Sequence, residues 1–183
     1  FPFTLARVEV TPPSQGIFDT IDGLPPGSVI LFSNDYDPGS AAELKPMTLA
    51  ILRHAFHKRI HVVVMTLWPG GLALTQDILQ KMTVEFPHLK KNEDWAFLGY
   101  NAGSQAAIAN MVRSLTETYP KDRDGVETAS LPILAKADGK KIESLKDFAY
   151  VLSISAGDPG IEQWVIYGHG ESGCLLGGGS TAV

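Results

Sequence analysis

An α/β fold built on a mostly parallel sheet is what this sequence predicts, and three observations predict it. Residues 29–32 and 60–67 are nearly continuous apolar runs rather than alternating ones, as in strands covered on both faces. Each run ends in turn chemistry, Asn34-Asp35-Tyr36-Asp37-Pro38-Gly39-Ser40 after the first and Trp68-Pro69-Gly70-Gly71 after the second. Apolar residues at helical spacing then follow each turn. Strands alternating with helices imply a parallel sheet with helices on both faces. Right-handed crossovers leave few topologies, and we expect five strands in the order 3-2-1-4-5, a three-layer Rossmann-like domain.

The elements follow in chain order. Residues 4–10 alternate like an edge strand or an extended lead-in, and Thr11-Pro12-Pro13 stops them. Ser14 is expected to cap a short helix carrying Ile17, Phe18 and Ile21 and ending at Gly23. Strand one, on the apolar run 29–32, opens the core. Ser40 to Glu43 fits a capping box, and a helix with Leu44, Met47, Ile51, Ala55 and Phe56 inward runs to about Lys58. Pro46 lacks a backbone donor and is expected in its first turn or at a kink. Strand two covers 60–67 and a helix covers 72–86. Strand three covers 94–100, and a helix follows over 105–115. Residues 116–130 are polar and turn-rich, and 140–146 suggest a short helix. Strand four covers 148–155 and a short strand five 174–177. Residues 161–167 follow strand four by about six residues, fewer than the roughly dozen of a parallel crossover. With Asp158 as N-cap and Pro159 at the first position, a helix over 159–168 is the expectation, and a strand the alternative.

The 183 residues suit one domain, with 1–27 as lead-in and 28–183 as core. Hydrophobic residues make up 44% and charged residues 19%, which places the chain among globular proteins. A net charge of -5 argues against a nucleic-acid partner. The one cysteine, Cys174, rules out an internal disulfide. No apolar run approaches the ~20 residues of a membrane span. The start at Phe1-Pro2-Phe3 and the glycine-rich end lead us to expect a piece excised from a larger protein.

Several stretches carry a resemblance: Leu24-Pro25-Pro26-Gly27, Asp35-Tyr36-Asp37-Pro38-Gly39, Leu98-Gly99-Tyr100 with Gly103, and Ser155-Ala156-Gly157-Asp158-Pro159-Gly160 before Trp164. In this order the chain resembles a family of uncharacterised bacterial and archaeal proteins anchored in the membrane. The resemblance implies a transmembrane helix before the domain and an apolar segment after it, hence a membrane-associated protein whose side of the membrane is open. The chain departs from the family pattern at Asn34 and at Gly177-Gly178-Gly179. No activity comes with the family.

Motifs of chemistry are sparse. Gly168-His169-Gly170-Glu171-Ser172-Gly173 spells a dinucleotide fingerprint but lacks the strand before it and the helix after it, and reads as a helix end. Cys174 beside His169 reads as a buried, inert thiol. His54, His57 and His61 read as partners of a helix C-terminus rather than metal ligands. Asp122, Asp124 and Glu127 form a loop too short for a calcium hand. No P-loop and no nucleophile elbow is present.

In open parallel sheets the crevice outside the strand ends, at the switch point, is where ligands bind. Here it lies between strands one and four. The candidate ligand-binding residues are Asn34, Asp35, Asp37, Gly157 and Asp158, with Tyr100, Asn101, Ser180 and Thr181 as neighbours. No catalytic residue, metal ligand or cofactor is assigned. Three aspartates without a cation would repel phosphate, so a hydroxyl-rich, amine-bearing or metal-associated ligand is expected there. The functional expectation is a non-catalytic, membrane-tethered binding or assembly domain with a small polar ligand or a protein as partner. The alternative is an enzyme, a hydrolase or transferase, acting through Asp35, Asp37 and Asp158.

Overall fold

The computed structural model describes residues 10–135 and 139–181. Five parallel strands form one sheet: β1 (Val29–Asp35), β2 (His61–Thr66), β3 (Trp95–Tyr100), β4 (Tyr150–Ser155) and β5 (Leu176–Ser180). Their order is β3-β2-β1-β4-β5, as expected for a three-layer Rossmann-like domain. The chain leaves β1 to build the sheet in one direction through β2 and β3, then returns to its other side through β4 and β5.

The helices are α1 (Pro12–Gly23), α2 (Ala41–His57), α3 (Gly71–Glu85), α4 (Ser104–Arg113) and α5 (Leu115–Thr118). After β4 come α6 (Ile161–Gln163), π-helical turns over Trp164–His169, and α7 (Gly170–Ser172). Side chains alternate across a strand, so each face of β1 holds its own core. Ile30 and Phe32 pack with Ile21, Leu44, Leu52 and Ile78 under α1, α2 and α3. Leu31 packs with Val63, Ile108, Met111, Leu145 and Trp164 on the α4 side.

Local chemistry departs from expectation at several points. Ser14 lies inside α1 and bonds Thr11 through their hydroxyls at 3.0 Å, because consecutive prolines already preset the first turn from Pro12. Ser40 makes no side-chain cap; Asp37 Oδ1 accepts from the amides of Gly39 (2.9 Å) and Ser40 (3.4 Å) in its place. Pro46 stands inside α2 rather than in its first turn, on the solvent side, where the Ala42 carbonyl left without its helical donor can meet water. The helix expected over 105–115 breaks at Ser114, whose hydroxyl caps α5 through Glu117 N. Of the segment expected as a helix over 140–146, only Leu145 and Lys146 turn helically, in a single 3-10 turn over Leu145–Asp147.

The stretch after β4 is helical, not a strand, but it opens at Ile161 with Gly160 as its cap residue. Asp158 does not cap it. Gln163 Oε1 accepts from Gly160 N at 2.9 Å, and Ser155 Oγ accepts from Ile161 N at 3.2 Å. Strand β5 falls later than expected, on the glycines themselves, which carry no apolar pattern to read. Close packing demands them: a Cβ at Gly177 would stand 1.8 Å from Tyr150 Oη, and one at Gly178 would stand 2.3 Å from Ile161 Cδ1. The lead-in expected over residues 4–10 lies outside the described residues except for Val10, which is exposed and outside regular structure.

Candidate functional site

The last residues of β1 are all buried and point alternately to the two faces. Asn34 and Tyr36 turn toward α2 and α3. Asn34 Nδ2 donates to Thr75 Oγ1 at 2.8 Å, and Thr48 Oγ1 donates to Asn34 Oδ1 at 3.1 Å. Tyr36 Oη lies 2.9 Å from Thr48 Oγ1 and, with Thr48 donating onward, is the donor of that pair. This chain of uncharged groups fastens β1 to both helices. Gly71, at the start of α3, belongs to the same fastening: a Cβ there would meet Thr66 Oγ1 at 2.4 Å and Asn34 O at 2.8 Å.

Asp35 turns to the other face. Its Oδ1 accepts from Leu67 N at 2.6 Å and its Oδ2 from Ser33 Oγ at 2.5 Å. Burial pushes its pKa up to about 6, against the Leu67 amide, the Ser33 hydroxyl, the Trp164 indole and the Thr66 hydroxyl, all of which favour the charged form. Trp164 is itself fully buried, and its Nε1 meets no acceptor with hydrogen-bond geometry. Ser153, the register partner of Ser33 in β4, also has a buried hydroxyl without a partner. Burial, and then the charge of Asp35, raise the Tyr119 phenol well above its ordinary value. Asp35 is therefore a carboxylate enclosed by its own core.

The other predicted residues do not converge on Asp35. Asp37 is engaged by its loop amides, and Gly70 packs so closely that a Cβ would stand 2.8 Å from Asp37 Cβ. Asp158 is exposed. Across the expected crevice lies Trp68, from the loop after β2: its Nε1 donates to Pro159 O at 3.0 Å, and a Cβ on Gly157 would come within 3.3 Å of its ring. Asn101 Oδ1 accepts from Gly103 N at 2.8 Å and its Nδ2 donates to Thr118 O at 3.0 Å. Tyr100 and Asn101 line a separate open pocket of about 470 Å³ with Lys121 and Arg123, beyond β3. There Gly99, at a positive φ of 89° that favours glycine, lies inside β3 where its register with β2 shifts. Ser180 lies at the opposite end of the sheet, followed by the half-buried Thr181.

Among the described residues no group of three His, Cys, Asp or Glu side chains could hold a metal ion. His54 stacks on Phe18 at 4.4 Å, His57 meets Phe86 edge-on at 5.0 Å, and His61 Nδ1 donates to Glu93 O at 2.8 Å. Asp122 Oδ1 accepts from the amides of Asp124 and Val126 and so closes its own loop. His169 Nδ1 donates to the backbone carbonyl of Cys174 at 2.7 Å rather than engaging the thiol, which burial pushes up. Gly173 adopts φ 69° just past α7, so the glycine-rich motif ends a helical segment.

One concave region escaped the sequence reading. A groove of about 650 Å³ runs between α1 and α2 over the end of the sheet. Ile17 and Phe18 form one wall, Met47 and Ile51 the other, and Ile154 with Gly179 the floor. Phe18 is 51% exposed and Met47 37%. Helical spacing groups each with the apolar residues of its own helix, and only the packing of α1 against α2 shows that both stop at the rim of the core. No family model, no curated protein and no solved structure matches this chain.

Proposed function

We propose that this chain is a binding or assembly domain rather than a catalyst, tethered to a membrane by segments outside the described residues. The observation that supports it is the arrangement of the three candidate aspartates. Asp35 is sealed, Asp37 holds its own loop, and Asp158 stands in solvent. Acid–base or hydrolytic chemistry needs such groups within reach of one reacting atom. The accessible concavity is the apolar groove, whose wall of exposed Phe18 and Met47 suits contact rather than chemistry. The tether is supported by the resemblance carried on the Tyr-Asp-Pro, Leu-Gly-Tyr and Ser-Ala-Gly-Asp-Pro-Gly stretches. No described helix is long and apolar enough to cross a membrane, so the anchor belongs elsewhere in the protein.

An enzyme is the second reading, and the raised pKa of Asp35 favours it, since shifted carboxyls cluster at catalytic sites. Thermal-shift screening with divalent cations, amines and sugars separates the two. The binding-domain reading expects no stabilisation that Asp35→Asn or Asp37→Asn removes; a ligand whose effect vanishes in either variant overturns it. For the tether, the complete gene product should stay with membranes after carbonate washing, and its release would refute that part.

A further inference from the structure

We propose that the outer edge of β5 and the groove between α1 and α2 form one docking site for an extended, uncharged segment of a protein partner, which adds to the sheet beyond β5. This inference rests on the binding-domain reading and names the partner's chemistry.

Three observations carry it. First, β5 is the last strand of the sheet and, among the described residues, pairs on one side only, with β4. A strand edge offers backbone donors and acceptors that an extended peptide satisfies and a lipid chain does not. Leu176–Ser180 carries none of the charges or prolines by which natural edges repel such pairing. Second, the groove meets that edge at Gly179. Gly177 and Gly178 are dictated by Tyr150 and Ile161. At Gly179 a Cβ would crowd Ile154 Cδ1 at 3.0 Å and Met47 Sδ at 3.3 Å, two side chains that line the groove. Gly178, Gly179 and Ser180 of the edge strand line the groove itself, so alternate side chains of an added strand would face into it. Third, charge and size select the occupant. The groove lining includes no Lys, Arg, Asp or Glu; its one titratable group, His54, already faces Asp22 and Phe18. A phosphate or lipid headgroup finds no cation. The lining comprises thirteen residues, short of the roughly 20–30 per side in a stable interface between globular partners. That disfavours a second copy of this chain and suits a segment of a few residues.

The test is a titration of the labelled protein, followed by amide NMR. The probe is a capped peptide of eight alternating valines and threonines between two terminal lysines. Two copies N-methylated at alternate residues, one in each register, serve as controls. We expect saturable shifts at Phe18, Gly179 and Ser180, and loss of about tenfold in affinity on N-methylation in one register only. Gly179→Leu, which fills the floor, should weaken the peptide by about tenfold or more. Should that variant lose its dispersed spectrum, Phe18→Ser at an exposed site gives the same reading. Lack of saturation at millimolar peptide overturns the proposal. So does equal binding of both methylated peptides, or displacement of the peptide by dodecanoate. Dimerisation on concentration, mapped to the same amides, would assign the site to a second copy and overturn it too. Any of these leaves the binding-domain reading standing, because that reading falls only to a ligand dependent on Asp35 or Asp37.

Discussion

Where β1 ends, the sheet closes over its polar groups; where β5 ends, it leaves apolar ones open. The first region holds the residues that turn chemistry picks out as a site, Asn34, Asp35 and Asp37, and all three are engaged by their own chain. The second holds Phe18, Met47 and Gly179, which no motif marks, around a groove of about 650 Å³. Polar residues at strand ends serve two masters, since caps and ligand sites use the same chemistry. Only packing tells them apart: Trp68 lies across one crevice, while at the other α1 and α2 leave a groove between them.

Variants at the closed end should break the comparison in graded steps. Asn34→Leu takes away the donor to the buried Thr75 hydroxyl and one acceptor of Thr48, which keeps Tyr36 and the Leu44 carbonyl. At ~1–3 kcal/mol for the unsatisfied Thr75 hydroxyl and about 1 kcal/mol for the bond lost at Thr48, chemical denaturation should show a loss of about 3 kcal/mol. A loss under about 1 kcal/mol would mean that the network is hydrated and the end open.

Asp35 gives the next effect, and its sign is distinctive. Its pKa in the folded chain is raised from 3.8 to about 6. The protonated acid is thus the form that the fold prefers. Its contribution is fully present below about pH 4 and is lost as pH rises through 6. The shift corresponds to about 3 kcal/mol of order-of-magnitude stability by pH 7. Asp35→Asn should therefore flatten the stability profile between pH 4 and 7 relative to the parent. Parallel profiles for the two proteins would show that Asp35 reaches solvent.

Much of this fold was legible, and the reasons differ by element. Strands β1 to β4 announce themselves because burial on both faces demands apolar runs, and crossover handedness leaves few strand orders, the observed one among them. Strand β5 was misplaced because Tyr150 and Ile161, remote in sequence, dictate its glycines. The caps at Ser14, Ser40 and Asp158 were misassigned for three local reasons: prolines start α1 at Pro12, ahead of Ser14, Asp37 orders the loop ahead of α2, and Gln163 takes the Gly160 amide. At the site, residue types were readable but directions were not. Asn34 and Asp35 are neighbours in sequence and face opposite cores.

Smaller effects sharpen the contrast between the loops. Asp37→Ala removes the acceptor of two loop amides ahead of α2 and should cost about 1 kcal/mol, the size of a lost N-cap. Asp158→Ala removes an exposed carboxylate that caps nothing and should fall within about 0.5 kcal/mol of the parent. A larger loss at Asp158 than at Asp37 would reverse the assignment of which aspartate is structural.

The most direct test of closed polar end against open apolar groove is relaxation of backbone amides by a small soluble nitroxide. The structure predicts strong broadening at Phe18, Met47 and Gly179, and protection at Asp35, Leu67 and Ser153. Broadening at Asp35 and Leu67 equal to that at Gly179 would contradict the account and return the acidic end of β1 to the place of the functional site.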